Sequence, residues 1–464
     1  MDPSPPVAGE TGECVLQDGF CIEAERLAPA PPVAERVVGG ALRHVVMDVG
    51  PLRRHRDFRL LWIGEAVSYF GSMVTFVAIP YQAYALTRSS LMVGLLSAAQ
   101  LVPLVVMALF GGALADALDR RKLVLIAELL LASASGALLA NALAAHPRLW
   151  VLFVVGAVMA GLGGLQRPPL DALLPRLVDK DELVSAAALM SLRRTVGMIA
   201  GPALGGVLIA AFGVGSAFTF DIVTFVASLV MLFLMHAVPP ASDAPSPSLR
   251  GIVEGFRYAA SRQELIGTYG VDMVAMFFGM PTALFPALAQ NLGGAGALGV
   301  LYAAPSVGAF LASMTSGWAP RVDRQGAAVG LAAVGWGVGI VVLGFAPGLA
   351  LAVVALAFAG YCDMISGIFR SAMWNQTIPD RLRGRLAGIE QISYTTGPLM
   401  GNVEAGAVAA LAGLRASIVS GGILCVAGVG VAVALLPKFW GYDARRWADA
   451  AAGGDSVDAV GDGA

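Results

Sequence analysis

The sequence has little charge for its length, and long stretches of it have none. Asp, Glu, Lys and Arg make up 13% of the 464 residues, whereas soluble proteins average about 25%. Hydrophobic residues reach 57%, and glycine occurs 57 times. Small residues of this kind allow membrane helices to pack closely. The composition therefore argues against a soluble globular protein and indicates a membrane protein.

Histidine and cysteine are also scarce, and neither is arranged as a site for metal or catalysis. The four histidines are scattered, and the four cysteines lack the spacing of metal ligands. No Ser/His/Asp cluster, GxxxxGK[ST] loop, nucleic-acid motif or basic arm is present. We therefore expect no cofactor, no metal, no nucleic-acid partner, no enzymatic activity and no direct use of ATP.

Twelve apolar segments occupy the chain from residue 60 onward, and each is long enough to cross about 30 Å of hydrocarbon as a helix. They lie at residues 60–86, 91–115, 123–145, 149–171, 184–211, 215–238, 265–290, 296–319, 326–346, 348–371, 386–412 and 415–437. The sequence therefore predicts an all-α membrane protein with twelve transmembrane helices.

Basic residues are divided unevenly between the two sides of this layout. Of the 30 Arg and Lys residues, 25 fall in the N-terminal tail, the C-terminal tail and the loops of the same side. Only Arg88, Arg148 and Arg415 fall in the loops of the other side. Because Arg and Lys accumulate on the cytoplasmic side of membrane proteins, we expect both termini in the cytoplasm.

Three segments lie outside the membrane in this layout. Residues 1–50 are rich in Pro, Ala and Glu and predict a disordered cytoplasmic tail. Residues 438–464 predict a cytoplasmic C-terminal tail whose Gly/Asp/Ala part, after about Ala448, is expected to be disordered. Between the halves, residues 239–264 predict a cytoplasmic linker with an amphipathic helix at the inner membrane surface. The two remaining parts, residues 51–238 and 265–437, are expected to form two six-helix bundles.

The two halves repeat each other at short motifs that follow in the same order. Five pairs match at nearly one offset, with a short deletion before the last: Gly94–Ala99 and Gly299–Ala304, Asp119-Arg120 and Asp323-Arg324, Gly164-x-x-Arg167 and Gly367-x-x-Arg370, Pro175 and Pro379, and Gly201-Pro202-x-x-Gly205 and Gly397-Pro398-x-x-Gly401. This order indicates a duplicated six-helix unit, with substrate sites expected between the halves.

A charged loop, GGALADALDRRK at residues 111–122, joins the second and third segments. It resembles the loop between helices 2 and 3 of the major facilitator superfamily, roughly G-x-L-a-D-r-x-G-R-k. The matching residues are Gly112, Leu114, Asp116, Arg120 and Arg121, whereas Ala117 and Asp119 depart from the pattern. The resemblance implies an inner gate in which Asp116 lies against the start of helix 11. An ordinary basic turn is the alternative, but it does not explain the Gly-x-Leu-x-Asp spacing.

The fifth segment carries GMIAGPALGG at residues 197–206, which resembles the G-x-x-x-G-P-x-x-G-G pattern of drug antiporters in the superfamily. Gly197, Gly201 and Gly205 recur every fourth residue and clear one face for a neighbouring helix. Pro202 favours a kink, and Gly206 completes the pattern. A generic packing face of small residues is the alternative reading.

Wider stretches, at residues 51–87, 166–178 and 379–402, resemble the branch that contains bacterial enterobactin exporters and macrolide efflux proteins. Met47 opens MDVGPLRRHRDFRLLW, which resembles the start of many such transporters, so a start of translation at Met47 is the alternative to a tail over residues 1–50. Many relatives have an acid after the glycine of helix 1 as a proposed proton site. Here Gly71-Ser72 occupies that place, so another acid must carry the proton.

Charged residues inside the predicted helices are the candidates for proton and substrate binding, because charge is costly in lipid. Asp272, Asp363 and Glu404 lie deepest and are favoured as functional. Nearer the inner face, snorkelling or pairing between helices is an equal alternative for four residues: Glu65, Arg193, Arg194 and Glu390. Glu128 and Asp221 lie on helices that pack outside the cavity, so we expect structural roles for them.

These observations predict a secondary transporter that exports an amphipathic small molecule, such as a drug, siderophore or secondary metabolite, in exchange for protons by alternating access. We expect a monomer in the bacterial inner membrane. Two alternatives stay open. An uptake symporter of the same fold would accumulate its substrate in energised cells, and a non-transporting membrane sensor or scaffold would give no flux in proteoliposomes.

Overall fold

The computed structural model describes residues 15–17, 20–22, 48–117, 119–236, 257–378 and 380–445, and the side chains of 15–17, 20–22, 109–117, 380–385, 387–389, 391 and 392 lie outside its description. The chain forms two compact units, residues 1–48 and 49–464. In the first unit, strands β1 (Val15–Gln17) and β2 (Phe20–Ile22) pair antiparallel, with Leu16 opposite Cys21. The rest of the predicted disordered tail lies outside the described residues.

Long helices cover all twelve predicted segments of the second unit. Their bounds are α1 Arg56–Thr87, α2 Ser90–Ala117, α3 Arg120–Leu143, α4 Leu149–Leu177, α5 Leu183–Phe212, α6 Val214–Phe233, α7 Gln263–Phe278, α8 Ala295–Thr315, α9 Gln325–Gly344, α10 Leu349–Thr377, α11 Asp380–Ala412 and α12 Leu414–Leu435. Eleven spans are long and apolar enough to cross a membrane, and the partly described α11 is the twelfth helix. A helix pairs its own backbone N–H and C=O groups, which lipid requires. The predicted all-α membrane fold is confirmed.

The helices alternate in direction, so their connections gather at two ends of the bundle. We call one the Arg88 end, because the turn between α1 and α2 contains Arg88, and the other the Arg121 end, after the start of α3. At the Arg88 end, Gly213 (φ 81°) joins α5 to α6 and Gly413 (φ 93°) joins α11 to α12. Both turns need a left-handed residue, which glycine supplies without steric cost.

The seventh predicted segment is a broken helix. α7 ends at Phe278, and after a 3-10 turn at Thr282–Leu284 a short helix continues over Phe285–Leu292. Pro281 and Pro286 lack the N–H that a continuous helix would need. The indole N–H of Trp336 on α9 donates to the carbonyl of Gly279 at 3.0 Å, which pairs a backbone group that the break leaves free.

The two halves meet where α2 crosses α11 and where α5 crosses α8. A Cβ built on Gly206 of α5 would lie 2.8 Å from the Cα of Gly299 on α8, and one on Gly94 of α2 would overlap the carbonyl oxygen of Asn402 on α11. The Asn402 side chain donates to Ser97 of the first half at 3.2 Å. Arg88 donates to Gln290 across the halves at 2.8 Å. All these contacts lie toward the Arg88 end.

The Arg121 end is held together within each half by ion pairs. Glu182, before α5, binds Arg54 and His55 at 2.6 Å each and so anchors the chain before α1. In the second half, Arg445 binds Asp323 at 2.7 Å. Of the predicted linker, residues 239–256 lie outside the described part, and residues 257–260 are helical. The predicted domain boundaries remain predictions.

Candidate functional site

A buried arginine in the second half binds two acids. Arg370, near the end of α10, contacts the carboxylate of Asp272 on α7. Its second terminal nitrogen lies 3.7 Å from Asp363, which precedes it by two turns of α10. Arg370 and Asp272 are 6% and 5% exposed, whereas the Asp363 side chain is 41% exposed. The guanidinium thus joins a buried acid to one whose side chain is partly exposed.

Aromatic side chains surround this ion pair. The Arg370 guanidinium lies 5.1 Å from the ring centre of Tyr394 on α11, within the range of a cation–π contact. The Tyr394 hydroxyl donates to Glu390, one turn earlier on α11, at 2.7 Å. The rings of Tyr269 and Trp374 meet edge to face at 4.9 Å, and the Trp374 N–H lies 3.2 Å from the hydroxyl of Thr268.

These residues line a small pocket between α7, α10 and α11 whose volume open to water is about 10 Å³, the space of roughly one water molecule. Sites for drug-sized ligands usually measure about 300–1,000 Å³, so the pocket in this conformation has no room for such a molecule. It combines aromatic faces with two carboxyl groups, those of Asp272 and Glu390, and one guanidinium. That combination suits a molecule with both apolar and polar parts.

The first half contains a second buried ion pair at a similar depth. Arg193 of α5 binds Glu65 of α1 at 3.0 Å, and the two residues are 9% and 5% exposed. The guanidinium also lies 5.9 Å from the ring centre of Tyr69 on α1. Glu65 and Asp272 each lie nine residues beyond the start of their helix, roughly 14 Å along the axis. Each half therefore places an arginine, an acid and a tyrosine at the same level.

Glu128 of α3 lies behind this pair and is fully buried. One of its oxygens accepts hydrogen bonds from Ser68 and from the amide of Gln166 on α4, each at 2.9 Å. The same amide nitrogen lies 3.5 Å from Glu65. The structure therefore connects Glu128 to the ion pair through a shared hydrogen-bond donor.

Asp221 of α6 joins helices of the first half. It accepts from Thr75 of α1 at 2.7 Å and from Ser135 of α3 at 2.6 Å, and it is fully buried. Gly71 of α1 lies against Asp221 and Thr224, where a Cβ would overlap the threonine hydroxyl. This position explains physically why α1 has a glycine there.

Two other candidates lie away from both clusters. Arg194 is half-buried, and Arg193 rather than Arg194 makes the bond to Glu65. Glu404 is half-buried on α11, fourteen residues beyond Glu390, which is roughly 21 Å along a helix. It lies close to Asn402 and therefore near the Arg88 end. The structure does not bring Glu404 to the pocket.

The predicted gating loop is described only in part. α2 extends to Ala117, but the side chain of Asp116 and the surroundings of Gly112 lie outside the described residues. Arg120 is buried and donates to the carbonyl of Ala172 on α4 at 3.2 Å. Arg121 donates to the carbonyls of Leu232 and Phe233 at 2.8 and 2.6 Å. Asp119 accepts from the N–H groups of Arg121 and Lys122, which is the usual role of an N-cap residue.

The glycines of the α5 motif face two neighbours. A Cβ on Gly197 would lie 2.5 Å from the ring of Tyr69, one on Gly201 would overlap Met73, and one on Gly205 would lie 3.3 Å from the backbone of Val74. All three therefore pack against α1 in the same half. Gly206 and the carbonyl of Pro202 instead meet Gly299 of α8 in the other half.

Sequence reasoning missed several residues of these clusters. Arg370 lies at the end of the tenth predicted segment, where the sequence predicts a charge of the following cytoplasmic loop. The Gly-x-x-Arg repeat, which contains Arg370, was the available signal. Tyr269, Trp374 and Tyr394 gave no signal beyond ordinary apolar patterning. Gln166 gave none, because the direction of a side chain around a helix axis cannot be read from one sequence.

The fold and these clusters define a membrane transporter built from two six-helix halves with a polar site in each. The sequence pattern of the MFS_3 family, described as transmembrane secretion effectors, matches residues 47–448. The chain therefore belongs to this efflux family of the major facilitator superfamily.

Relatives and solved structures agree with that assignment. The chain is 29% identical over 370 residues to the enterobactin exporter EntS of Citrobacter koseri, covering 79% of this chain and 88% of the relative. The Escherichia coli exporter of the same name is 28% identical over the same shares. The crystal structure of the nucleoside transporter NupG gives a TM-score of 0.66 at 13% identity, covering 82% of this chain and 98% of that one. A POT family transporter in complex with 5-aminolevulinic acid gives 0.67 at 10%, covering 83% and 97%. These structures share the fold.

Proposed function

We propose that this transporter exports an amphipathic small molecule in exchange for protons. The observation that carries the proposal is the ion pair of Asp272 and Arg370 in a pocket lined by aromatic rings, with Asp363 3.7 Å from the same guanidinium. Buried charges in membrane helices are rare and usually serve transport. The relatives named as enterobactin exporters make a siderophore the first substrate to test.

The charge balance of the pocket supports exchange. Two carboxyl groups, Asp272 and Glu390, line the pocket with one guanidinium, and a third, Asp363, lies 3.7 Å from that guanidinium. The excess negative charge is compensated either by protons or by cationic and hydrogen-bond-donating groups of a substrate. Two ligands that compete for the same groups lower each other's affinity, which is the requirement for antiport.

The conformation supports alternating access. The described contacts between the halves lie toward the Arg88 end, where glycines bring the backbones together. With the charge bias of the sequence, which favours cytoplasmic termini, this end is the outer one. We assign the conformation to the inward-facing state of a monomer in the bacterial inner membrane.

Reconstitution in liposomes tests the proposal, with enterobactin and ethidium as probes and a pH-sensitive dye in the lumen. A proton gradient should drive one of the probes in the direction opposite to the protons. Asp272→Asn should abolish gradient-driven flux, because the isosteric amide cannot take up a proton. Asp221→Asn, at a buried acid outside the pocket, is the matched control and should retain flux.

The other outcomes reject the proposal. Movement of probe and protons in the same direction would identify an uptake symporter. Absence of flux for both probes, together with no change of luminal pH, would favour a sensor or scaffold. Glu404→Gln tests the remaining candidate, and loss of coupling there but not in Asp272→Asn would move the proton site to the Arg88 end.

A further inference from the structure

Glu128 has hydrogen-bond partners on only one of its two carboxyl oxygens. Oε1 accepts from Ser68 and Gln166, whereas Oε2 has no partner among the described residues. The residue is fully buried. The hydroxyl of Ser228 on α6 faces this carboxyl group, and its Oγ likewise has no hydrogen-bond partner among the described residues. Because a hydroxyl oxygen can accept a hydrogen bond, this arrangement fits the protonated form, in which Oε2 of Glu128 carries the hydrogen.

The Gln166 amide connects Glu128 to the ion pair of the first half. Its nitrogen lies 2.9 Å from Glu128 and 3.5 Å from Glu65, and an amide nitrogen has two hydrogens to donate. Glu65 is in turn held by Arg193. Two carboxyl groups are therefore linked by one amide, and one guanidinium binds Glu65 directly.

The charges around this group favour one bound proton. Glu128 is faced by Glu65 of α1, and Glu65 by Arg193 of α5. Two further cations, Arg167 of α4 and Arg194 of α5, lie near Tyr69, which neighbours this group. The side chain of α6 that faces Glu128 is the hydroxyl of Ser228. One cation in direct contact compensates one carboxylate, and an uncompensated buried carboxylate is costly.

We propose that Glu128 and Glu65, linked by Gln166 and sharing Arg193, form a second proton site of the transporter, in the half opposite to Asp272. In the present conformation Arg193 binds Glu65 and the proton resides on Oε2 of Glu128. When Arg193 moves from Glu65 alone to a position between the two carboxylates, Glu128 releases its proton to the cavity, and the return of Arg193 to Glu65 lets Glu128 bind a proton again. This proposal rests on the proton exchange proposed above. It adds one exchanged proton to those that the Asp272 cluster carries.

Spin-label distances measured against pH test the inference in the full chain. Labels at Lys180→Cys and Arg321→Cys, in a chain whose native cysteines are replaced by alanine, lie on different halves at the Arg121 end, and both positions are exposed. In lipid nanodiscs, the distance between the two labels in the otherwise wild-type chain should change between a short and a long value with pH. Its titration should be steep, with an apparent Hill slope of about two for two coupled sites.

Glu128→Gln keeps the shape and the hydrogen bonds of the carbonyl oxygen but cannot exchange a proton. It should lower the slope to about one and leave the remaining transition to the Asp272 cluster. Gln166→Leu retains both acids and removes their link, and it should shift the midpoint. This second variant keeps the test decisive if Glu128→Gln does not fold. Asp221→Asn is the matched control, because Asp221 also has one unpartnered buried oxygen but shares no donor with Glu65.

Three results overturn the inference, and they differ in what else they affect. An unchanged titration in Glu128→Gln or in Gln166→Leu would reject the second site while leaving proton exchange at Asp272 intact. A wild-type chain whose distances do not respond to pH would reject proton coupling itself, and the second site with it. Loss of slope in Asp221→Asn as well would show that any buried acid of the first half has this effect, which also rejects it.

Discussion

Gly206 of α5 and Gly299 of α8 bring the backbones of the two halves into contact, since a Cβ on Gly206 would lie 2.8 Å from the Cα of Gly299. The sequence repeat pairs Gly299 with Gly94, and it pairs Gly206 with Asn402 after the short deletion. Gly94 and Asn402 form the other crossing, between α2 and α11. Duplication of one unit has therefore produced both closures of the Arg88 end, each with a glycine where the backbones meet.

A methyl group at either crossing should open the Arg88 end. Gly206→Ala and Gly94→Ala place a Cβ against backbone that cannot rotate away, and overpacking of this kind costs about 1–3 kcal/mol. That cost corresponds to a roughly 5- to 150-fold shift between conformations. A cysteine at Gln290, beside the crossing, should then react faster with an impermeant maleimide.

Gly136→Ala is the control for this measurement, because a Cβ on Gly136 of α3 meets nothing within 4 Å. It should leave the reactivity of position 290 unchanged. Equal reactivity in Gly206→Ala and Gly136→Ala would mean that the α5–α8 contact does not limit opening.

Removal of Arg370 alone should destabilise the protein more than removal of Arg370 together with its acids. Arg370→Met leaves Asp272 buried without a cation, and breaking a buried pair typically costs about 3–5 kcal/mol. In Arg370→Met with Asp272→Asn and Asp363→Asn, both acids that contact Arg370 are neutral, and only Glu390 of the pocket still has a carboxyl group. The apparent melting temperature in detergent should therefore recover much of the loss. A triple variant that melts below Arg370→Met would show that the ion pair itself, rather than its imbalance, stabilises the fold.

Arg121 should stabilise the end of α6. Its guanidinium binds the carbonyls of Leu232 and Phe233 in the last turn of the helix, although the Leu232 carbonyl also accepts the N–H of Met235 at 3.3 Å. A cation at a helix C-terminus is worth about 0.3–1 kcal/mol and up to ~2 when partly buried. In Arg121→Gln, amide hydrogen exchange should accelerate in peptides that cover residues 228–236. Lys122→Gln, at the exposed neighbouring position, should leave that exchange unchanged. Equal protection in both variants would contradict the capping role.

The orientation in the membrane is tested by labelling in intact cells. Cysteines at Ala145, which is exposed at the Arg88 end, and at Ser242, in the linker between the halves, should react oppositely with an impermeant reagent. The surplus of Arg and Lys predicts that position 145 reacts from outside and position 242 does not. Reaction at position 242 from outside would reverse the proposed orientation.

The helix positions could be predicted because lipid leaves the chain few choices. An apolar run of about twenty residues must pair its own backbone in a bilayer, so each of the twelve segments became a helix. The break after Phe278 was harder to foresee, although Pro281 and Pro286 lie within the seventh segment. A proline in a membrane helix can produce either a kink, as expected at Pro202, or a break, and neighbours such as Trp336 decide by satisfying the freed carbonyl.

The candidate site shows which contacts cannot be predicted from the sequence alone. The sequence by itself determined that acids and arginines lie inside helices, because a charge in an apolar run is visible wherever that helix goes. It did not determine which of two adjacent arginines binds Glu65, because successive residues point about 100° apart around a helix. Packing chose Arg193, which lies 128 positions from its partner. The tertiary structure likewise brought Arg370 to Asp272 and Gln166 between two acids, because the rotation and register of packed helices decide contacts between distant residues.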